Sequence, residues 1–208
     1  MAPSARRKAS ALGVYHLSVP SYCIQPWKNG RGDTREIAID SEKPFRWRVS
    51  SAILRESASF SVFSGYDRIL TLTGNTAITL EHEDNRPRIV APMQVYRFSG
   101  DVKTQFHLKA PTEDFNVIVL RGRAKASVYP SFVSKGEELQ FQLSAQEHFI
   151  YCVKGTLECL EQNSGQRCAL GPNETLRISR FSPAEYLNLR AKAERGDAEL
   201  LWVVIHLS

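Results

Sequence analysis

The chain has 208 residues, of which 42% are hydrophobic, 24% charged and only four cysteine. A chain of that length buries a substantial core without disulfides or a structural metal, and its composition excludes disorder, collagen and a disulfide-dense mini-protein. The net charge of +5 is largely tail-borne, with Arg6, Arg7 and Lys8 in the first ten residues and the other basic residues scattered, so the clustered footprint of a nucleic-acid surface is missing.

In chain order, residues 1–13 contain the pair Arg6-Arg7, but the apolar run after it is too short for an export signal and is followed by His16, Ser18 and Pro20. The segment is expected to be a flexible tail on a cytoplasmic protein. No stretch approaches the ~20 apolar residues of a membrane span, so neither a membrane nor a nucleic acid is an expected partner. Strands are expected at 15–19, 35–39 and 44–50, while 51–58 reads as at best a short helix. Between 68 and 82, two runs alternate with period two around Gly74-Asn75, which predicts a β-hairpin. Further strands are expected at 94–98, 115–120, 140–143, 149–153, 157–160, 175–179 and 200–207, and 184–193 reads as a short helix or a strand. Turn residues punctuate these runs at short intervals, so the expected class is all-β, a sandwich or barrel.

The pattern occurs twice. Gly74, Pro92 and Leu120 close or open strands in the first half, and Gly155, Pro172 and Ile205 do so in the second, at offsets of 81, 80 and 85 residues. A repeat of this length is a whole β module rather than a solenoid unit. Each half resembles the cupin double-stranded β-helix, and two halves make a bicupin of two tandem cupin/jelly-roll β-barrels. The expected division is a tail at 1–13, an N-terminal barrel at 14–125 that carries the ligand pocket, and a C-terminal barrel at 126–208.

Chemistry-bearing motifs are scarce. Cys23, Cys152, Cys159 and Cys168 form no C-x-x-C pair and read as small, mostly buried hydrophobes. His16, His82, His107, His148 and His206 include no H-x-H. His82 stands between Glu81 and Glu83, but neighbours on a strand face opposite ways, so it reads as a residue of an exposed hairpin. His148 has no partner in sequence. No metal and no cofactor are expected. There is no G-x-S-x-G elbow, and Gly30-Arg31-Gly32 lacks the Lys-Ser/Thr of a phosphate loop.

Three segments carry polar groups in unusual company. Trp27-Lys28-Asn29 precedes a glycine-rich turn, so Lys28 and Asn29 are placed to offer an ammonium and an amide to an anion or carbonyl; a surface loop anchored by Trp27 is the alternative. In Phe45–Ser50, Trp47 reads as core, and Arg48 faces either solvent or a pocket. Arg68 shares a strand face with Leu70 and Leu72, and Asn116 shares one with Ile118 and Leu120. A cation on an apolar face needs a partner. The expectation is a barrel mouth with a polar floor; the alternative is structural bonding, such as an internal pair of Arg68 with Asp67 or Asp114.

Taken in order, Trp27-Lys28-Asn29-Gly30-x-Gly32, Thr34-Arg35-Glu36-Ile37, Trp47-Arg48-Val49-Ser50, Phe63-x-Gly65-x-Asp67-Arg68, Leu70-x-Leu72-x-Gly74, Phe98-x-Gly100-Asp101, Asp114-Phe115-Asn116-Val117 and Arg121-Gly122 resemble the HutD/Ves family. Arg31 stands where that family usually has glycine. The resemblance implies a bacterial bicupin with no established catalytic activity, a pocket in the N-terminal barrel, and a small carboxylate partner. That partner is expected to be an intermediate of histidine degradation, such as formyl- or formimino-glutamate or urocanate, with the protein restraining that pathway. The ligand-binding candidates are Lys28, Asn29, Arg48, Arg68 and Asn116, with no catalytic or metal-binding residue. Competing expectations are a cupin enzyme (a metal-assisted isomerase, oxygenase or hydrolase) and a stress-response interaction protein; a homodimer is also compatible with the pattern.

Overall fold

The computed structural model describes residues 12–27, 30–83, 86–163, 165–180 and 187–208. The first half contributes β1 (Leu12–Leu17), β2 (Cys23–Pro26), β3 (Gly32–Ile39), β4 (Trp47–Leu54), β5 (Ala58–Ser59), β6 (Tyr66–Leu72), β7 (Ile78–His82), β8 (Arg88–Val90), β9 (Val95–Ser99), β10 (Thr104–Leu108) and β11 (Thr112–Leu120). The second contributes β12 (Ala124–Val133), β13 (Glu138–Leu143), β14 (Glu147–Lys154), β15 (Leu157–Glu161), β16 (Arg167–Leu170), β17 (Thr175–Arg180), β18 (Leu187–Lys192) and β19 (Ala198–Leu207). The one helical turn among the described residues is Val19–Ser21. Among the described residues no helix is long and apolar enough to cross a membrane.

These strands build two jelly-roll barrels. In the first, a six-stranded sheet of order β2-β3-β4-β11-β6-β9 faces a four-stranded sheet β5-β10-β7-β8. In the second, a five-stranded sheet β1-β17-β14-β19-β12 faces β13-β18-β15-β16. The fold is a bicupin. β1 pairs antiparallel with β17, so the chain begins in the sheet of the second barrel before it builds the first. β12 pairs only with β19 of that same sheet.

The two large sheets lie back to back. Alternation sends Val49, Ile69, Val117 and Val119 outward from the first barrel, onto Phe149, Val203 and Ile205 of the second. Trp47 meets Phe149 edge-on, with ring centroids 5.5 Å apart. The opposite residues of the same strands, Leu54, Leu70 and Leu72, pack inside the first barrel with Leu80 and Phe106. The second barrel is filled by Ile150, Cys152, Leu176 and Leu189 among others. A six-stranded sheet buried on both faces in this way needs apolar residues at both parities, and β4 and β11 carry them on both, with Trp47 and Val49 against Leu54, and Phe115 and Val117 against Ile118.

The expected hairpin at Gly74 is not formed. β6 pairs with β11 and β9, whereas β7 pairs with β10 and β8 in the opposite sheet. The Gly74-Asn75 turn is a barrel corner, where Thr73 N and Gly74 N both donate to Glu113 O at 2.9 and 3.0 Å. Glycine is needed there because a Cβ would overlap Thr112 Oγ1 and Glu113 N. The period-two pattern was the signature of two strands, but it carried no information about which strands pair. Nor is 51–58 helical: Ser51–Leu54 completes β4, and Ala58–Ser59 is the short strand β5. Of 184–193, residues 187–192 are strand β18, and 184–186 lie outside the described residues.

Candidate functional site

The inner face of the six-stranded sheet turns polar at one end of the first barrel. The register sets Arg48, Ile118 and Arg68 side by side on β4, β11 and β6, with Ser50, Asn116 and Leu70 in the next row, and Ala52, Asp114 and Leu72 in the row below. Arg48, Ser50, Arg68 and Asn116 line one cavity of about 520 Å³, together with Trp27 and Phe60. Arg68 and Asn116 thus come together as their strand parity predicted, and Arg48, whose facing parity left open, joins them. Lys28 and Asn29 lie outside the described residues.

Arg68 is 5% exposed. Its Nη2 donates to Asn116 Oδ1 at 2.9 Å, and its Nη1 donates to Ser61 O at 3.2 Å. Its guanidinium carbon lies 4.7 Å from the Phe60 ring centroid and 5.0 Å from that of Phe98, in the range of cation–π attraction. Nε is buried with no hydrogen-bond partner among the described residues. Burial pulls the guanidinium down to about 10, opposed by the negative Asp114 and reinforced by the like charge of Arg48.

Behind Arg68 the polar chain continues. Asn116 Nδ2 donates to Asp114 Oδ1 at 2.8 Å, which fixes the amide so that its oxygen faces the guanidinium. Asp114 is fully buried, and its Oδ2 has no hydrogen-bond partner among the described residues. Burial pushes this carboxyl up to about 7, against the stabilising pull of Arg68. Of the two structural pairings considered for Arg68, Asp67 is not involved; Arg121 Nε lies 3.6 Å from it. Asp114 acts through Asn116.

Arg48 Nε donates to Glu36 Oε2 at 2.8 Å, with both side chains mostly buried. Trp27 Nε1 donates to Thr34 Oγ1 at 2.9 Å, anchoring the start of the glycine turn beside the cavity. Gly30 takes φ +70° in that turn, a left-handed conformation that glycine adopts without strain. Arg31 Nη1 donates to Ser57 O at 3.0 Å, and its Nε lies 3.5 Å from Glu56. It ties the turn to the segment leading into β5, another border of the cavity.

The other histidines and cysteines lie elsewhere. His82 is not on an exposed hairpin: it is half-buried, stacked on Tyr96, with Nδ1 2.9 Å from Thr104 Oγ1 and Nε2 2.8 Å from Tyr96 OH. The expectation failed because His82 shares the inward face of β7 with Ile78 and Leu80. Cys152 and Cys159 are buried, Cys168 is half-buried and Cys23 is exposed, contrary to the expected burial, because β2 is an edge strand. Among the described residues no three His, Cys, Asp or Glu side chains gather in a metal-binding arrangement.

The second barrel treats the same positions differently. His148, Ile150 and Cys152 on β14 pair with Val204, Trp202 and Leu200 on β19, as Arg68, Leu70 and Leu72 pair with Ile118, Asn116 and Asp114. Trp202 therefore stands where the first barrel has Asn116, and Leu200 where it has Asp114. His148 stacks on Trp202 at 6.1 Å and accepts Ala145 N at Nε2, 3.0 Å away. Phe141 packs on the same indole at 5.0 Å. An aromatic stack fills this mouth where the first barrel has a cavity.

Parity placed Arg68 and Asn116 on the inner face, whereas for Arg48 it left solvent and pocket equally open, and the register decides for the cavity wall. Sequence reasoning did not assign the Phe60 and Phe98 contacts around Arg68, Ser50 on the floor, or Glu36 on Arg48. Ser50 is two residues from Arg48 and was legible by the same alternation; the Phe60 and Phe98 contacts depend on tertiary packing alone.

The HutD family model matches residues 20–197. A stretch of 114 residues is 36% identical to an uncharacterized 21.2 kDa protein in the hutC 3′ region of Pseudomonas putida, covering 53% of this chain and 60% of that protein. A stretch of 123 residues is 32% identical to Protein Ves of Escherichia fergusonii, covering 54% of this chain and 64% of that one. The matches thus span about three-fifths of those curated relatives. Among solved structures, a conserved protein of unknown function from Pseudomonas aeruginosa PAO1 superposes with TM-score 0.84 at 27% identity, over 93% of this chain and 99% of that one. HutD from Pseudomonas fluorescens SBW25, determined in a formate condition, gives 0.78 at 26% identity, over 94% and 100%. A cupin 2 conserved barrel domain protein from Leptotrichia buccalis shares the fold at 8% identity and TM-score 0.55, over 83% of this chain and 88% of that one. With 178 of its residues inside the matched span and its inner-sheet motifs in order, this chain belongs to the HutD family.

Proposed function

We propose that the first barrel binds a small carboxylate metabolite without transforming it, and that the protein serves as a regulator of histidine degradation. The observation that carries this reading is the pair of guanidiniums on one cavity floor. Arg48 and Arg68 flank Ile118 on the same sheet face, so their backbones stand two strand spacings apart, roughly 10 Å. Arg pairs with carboxylate through a two-pronged fork. Two such groups suit a short acid with a carboxylate at each end, and the Asn116 amide and Ser50 hydroxyl between them suit a carbonyl or amide in the middle. Formyl- or formimino-glutamate has a carboxylate at each end and its formamide or formamidine group branching from the carbon beside one of them, within reach of such a polar group; urocanate has one carboxylate and a flat ring that suits Trp27 and Phe60. The hutC-region relative of Pseudomonas putida supports the link to this pathway.

Thermal-shift titration tests the reading. N-formylglutamate or urocanate is expected to raise the melting temperature of the wild type in a saturable way, and Arg48→Ala and Arg68→Ala are each expected to weaken the response by tenfold or more in ligand concentration. Stabilisation that survives both substitutions would remove the cavity from the account.

A further inference from the structure

Arg68, Asn116 and Asp114 form one buried polar chain that runs from the polar end of the inner face into its apolar part. Arg68 is the nearest positive charge acting on the carboxyl, and Asp114 is the counter-charge of the guanidinium, with Asn116 bridging them. Asp114 sits in register between Ala52 on β4 and Leu72 on β6. Those two belong to the apolar cluster that the opposite sheet completes with Ile78, Leu80 and Phe106. The other charged groups near it are Arg48 on β4, already paired with Glu36 of β3, and Glu113, its chain neighbour on the other sheet face. From the opposite sheet, His82 at the end of β7 lies against Phe98 at 5.4 Å.

Charge counting then has a consequence. With the cavity empty and Asp114 ionised, Arg68 and Asp114 together are neutral. An anion seated on Arg68 adds a second negative charge to the same guanidinium, in a wall too apolar to hold an uncompensated one. We infer that the first barrel takes up its ligand as an anion plus a proton, the proton going to the Asp114 carboxyl. This rests on the anion-site reading above and adds its regulation by pH. The proton has a ready place, since Oδ2 accepts no hydrogen bond among the described residues. No bond to carbon is made or broken; the proton comes from solvent and returns to it on release.

By linkage the affinity is independent of pH while Asp114 is already protonated in the free protein. It falls by about tenfold per pH unit above that midpoint, until the carboxyl ionises in the complex as well. The free carboxyl sits at about 7, so binding weakens as pH rises above neutrality.

Calorimetric titration of the full chain with glutarate, near pH 7.5 in imidazole and in Tris, reads the protons taken up from the difference in heats. An uptake of up to about three-quarters of a proton, the share of the Asp114 carboxyl still ionised in the free protein half a pH unit above its midpoint, is expected and is lost in Asp114→Asn. Glutarate binding with no uptake in the wild type overturns the inference and leaves the anion site standing. Uptake that persists in Asp114→Asn and vanishes in His82→Gln assigns it to the histidine and overturns it as well. No glutarate binding at any pH removes both readings. Should Asp114→Asn fail to fold, the carbon-13 titration of the Asp114 carboxyl in the ligand-free wild type and in Arg68→Gln decides: its midpoint must rise in the variant, and an unmoved midpoint overturns the coupling.

Discussion

Arg68 is where the sequence was most informative and most incomplete. Its parity with Leu70 and Leu72 placed it on an apolar face, which demands a partner. The partner is Asn116, two residues along from Asp114 on a strand 48 positions away in the chain, and no local pattern reports such a distance. The pairing has a stability cost with a defined pH dependence. The Asp114 carboxyl is raised from its ordinary 3.8 to about 7, so between those values the folded state holds a proton that the unfolded chain has lost. Stability from this group is therefore full below about pH 4 and declines as pH rises through 7. Arg68→Leu removes the counter-charge and lifts the carboxyl further. Denaturant unfolding is expected to show a loss of about 1–3 kcal/mol near pH 5, from the orphaned partners of the guanidinium, and a visibly larger loss near pH 8.5. An equal loss at both values would separate Asp114 from Arg68. At the second cation, Glu36 partly neutralises Arg48. Glu36→Gln is expected to tighten binding of a dicarboxylate by about three- to tenfold, the scale of one part-exposed charge pair, as read by calorimetry; weaker binding would mean that Glu36 positions Arg48 more than it neutralises it.

At the scale of elements, strand existence was legible and strand pairing was not. The runs around Gly74 are both strands, yet they belong to opposite sheets, because alternation records burial on one side and is silent about the neighbour in the sheet. Gly74 itself marks the corner. Gly74→Ala forces a methyl group against Thr112 and the backbone of Glu113 and is expected to lower stability by about 1–3 kcal/mol; a neutral effect in thermal melts would mean that the corner yields. Two of the three landmarks of the repeat agree to within one residue. Glycines recur at an offset of 81, but Pro92 and Pro172 recur at 80. The β-bulge in β14 between Cys152 and Lys154 adds one residue ahead of Gly155, so the strand residues before it recur at 80, and the second half has one residue fewer between its glycine and its proline. With the bulge counted, Arg68 corresponds to His148, and the divergence of the two mouths becomes visible.

For the whole molecule, the two barrels share one apolar layer rather than merely touching. Trp47, 1% exposed, lies against Phe149, and the guanidinium of Arg177 lies 5.0 Å from its ring centroid while pairing twice with Glu147 at 2.9 and 3.0 Å. The first strand of the chain adds to the second barrel's sheet. Trp47→Ala is expected to cost about 3–5 kcal/mol and to leave a single cooperative transition, monitored by circular dichroism and by calorimetry. Two separated transitions would show that the barrels unfold independently. This shared layer also sets the floor of the cavity, because the strands that present Trp47 and Val49 to the second barrel present Arg48 and Ser50 to the first barrel's interior. The crystal structure of the protein soaked with N-formylglutamate examines that arrangement most directly. One acid inside the first barrel, with a carboxylate on Arg68, the other on Arg48 and a carbonyl on the Asn116 amide, is the predicted result; an empty cavity at saturating acid, or the acid bound on the outer surface, would contradict it.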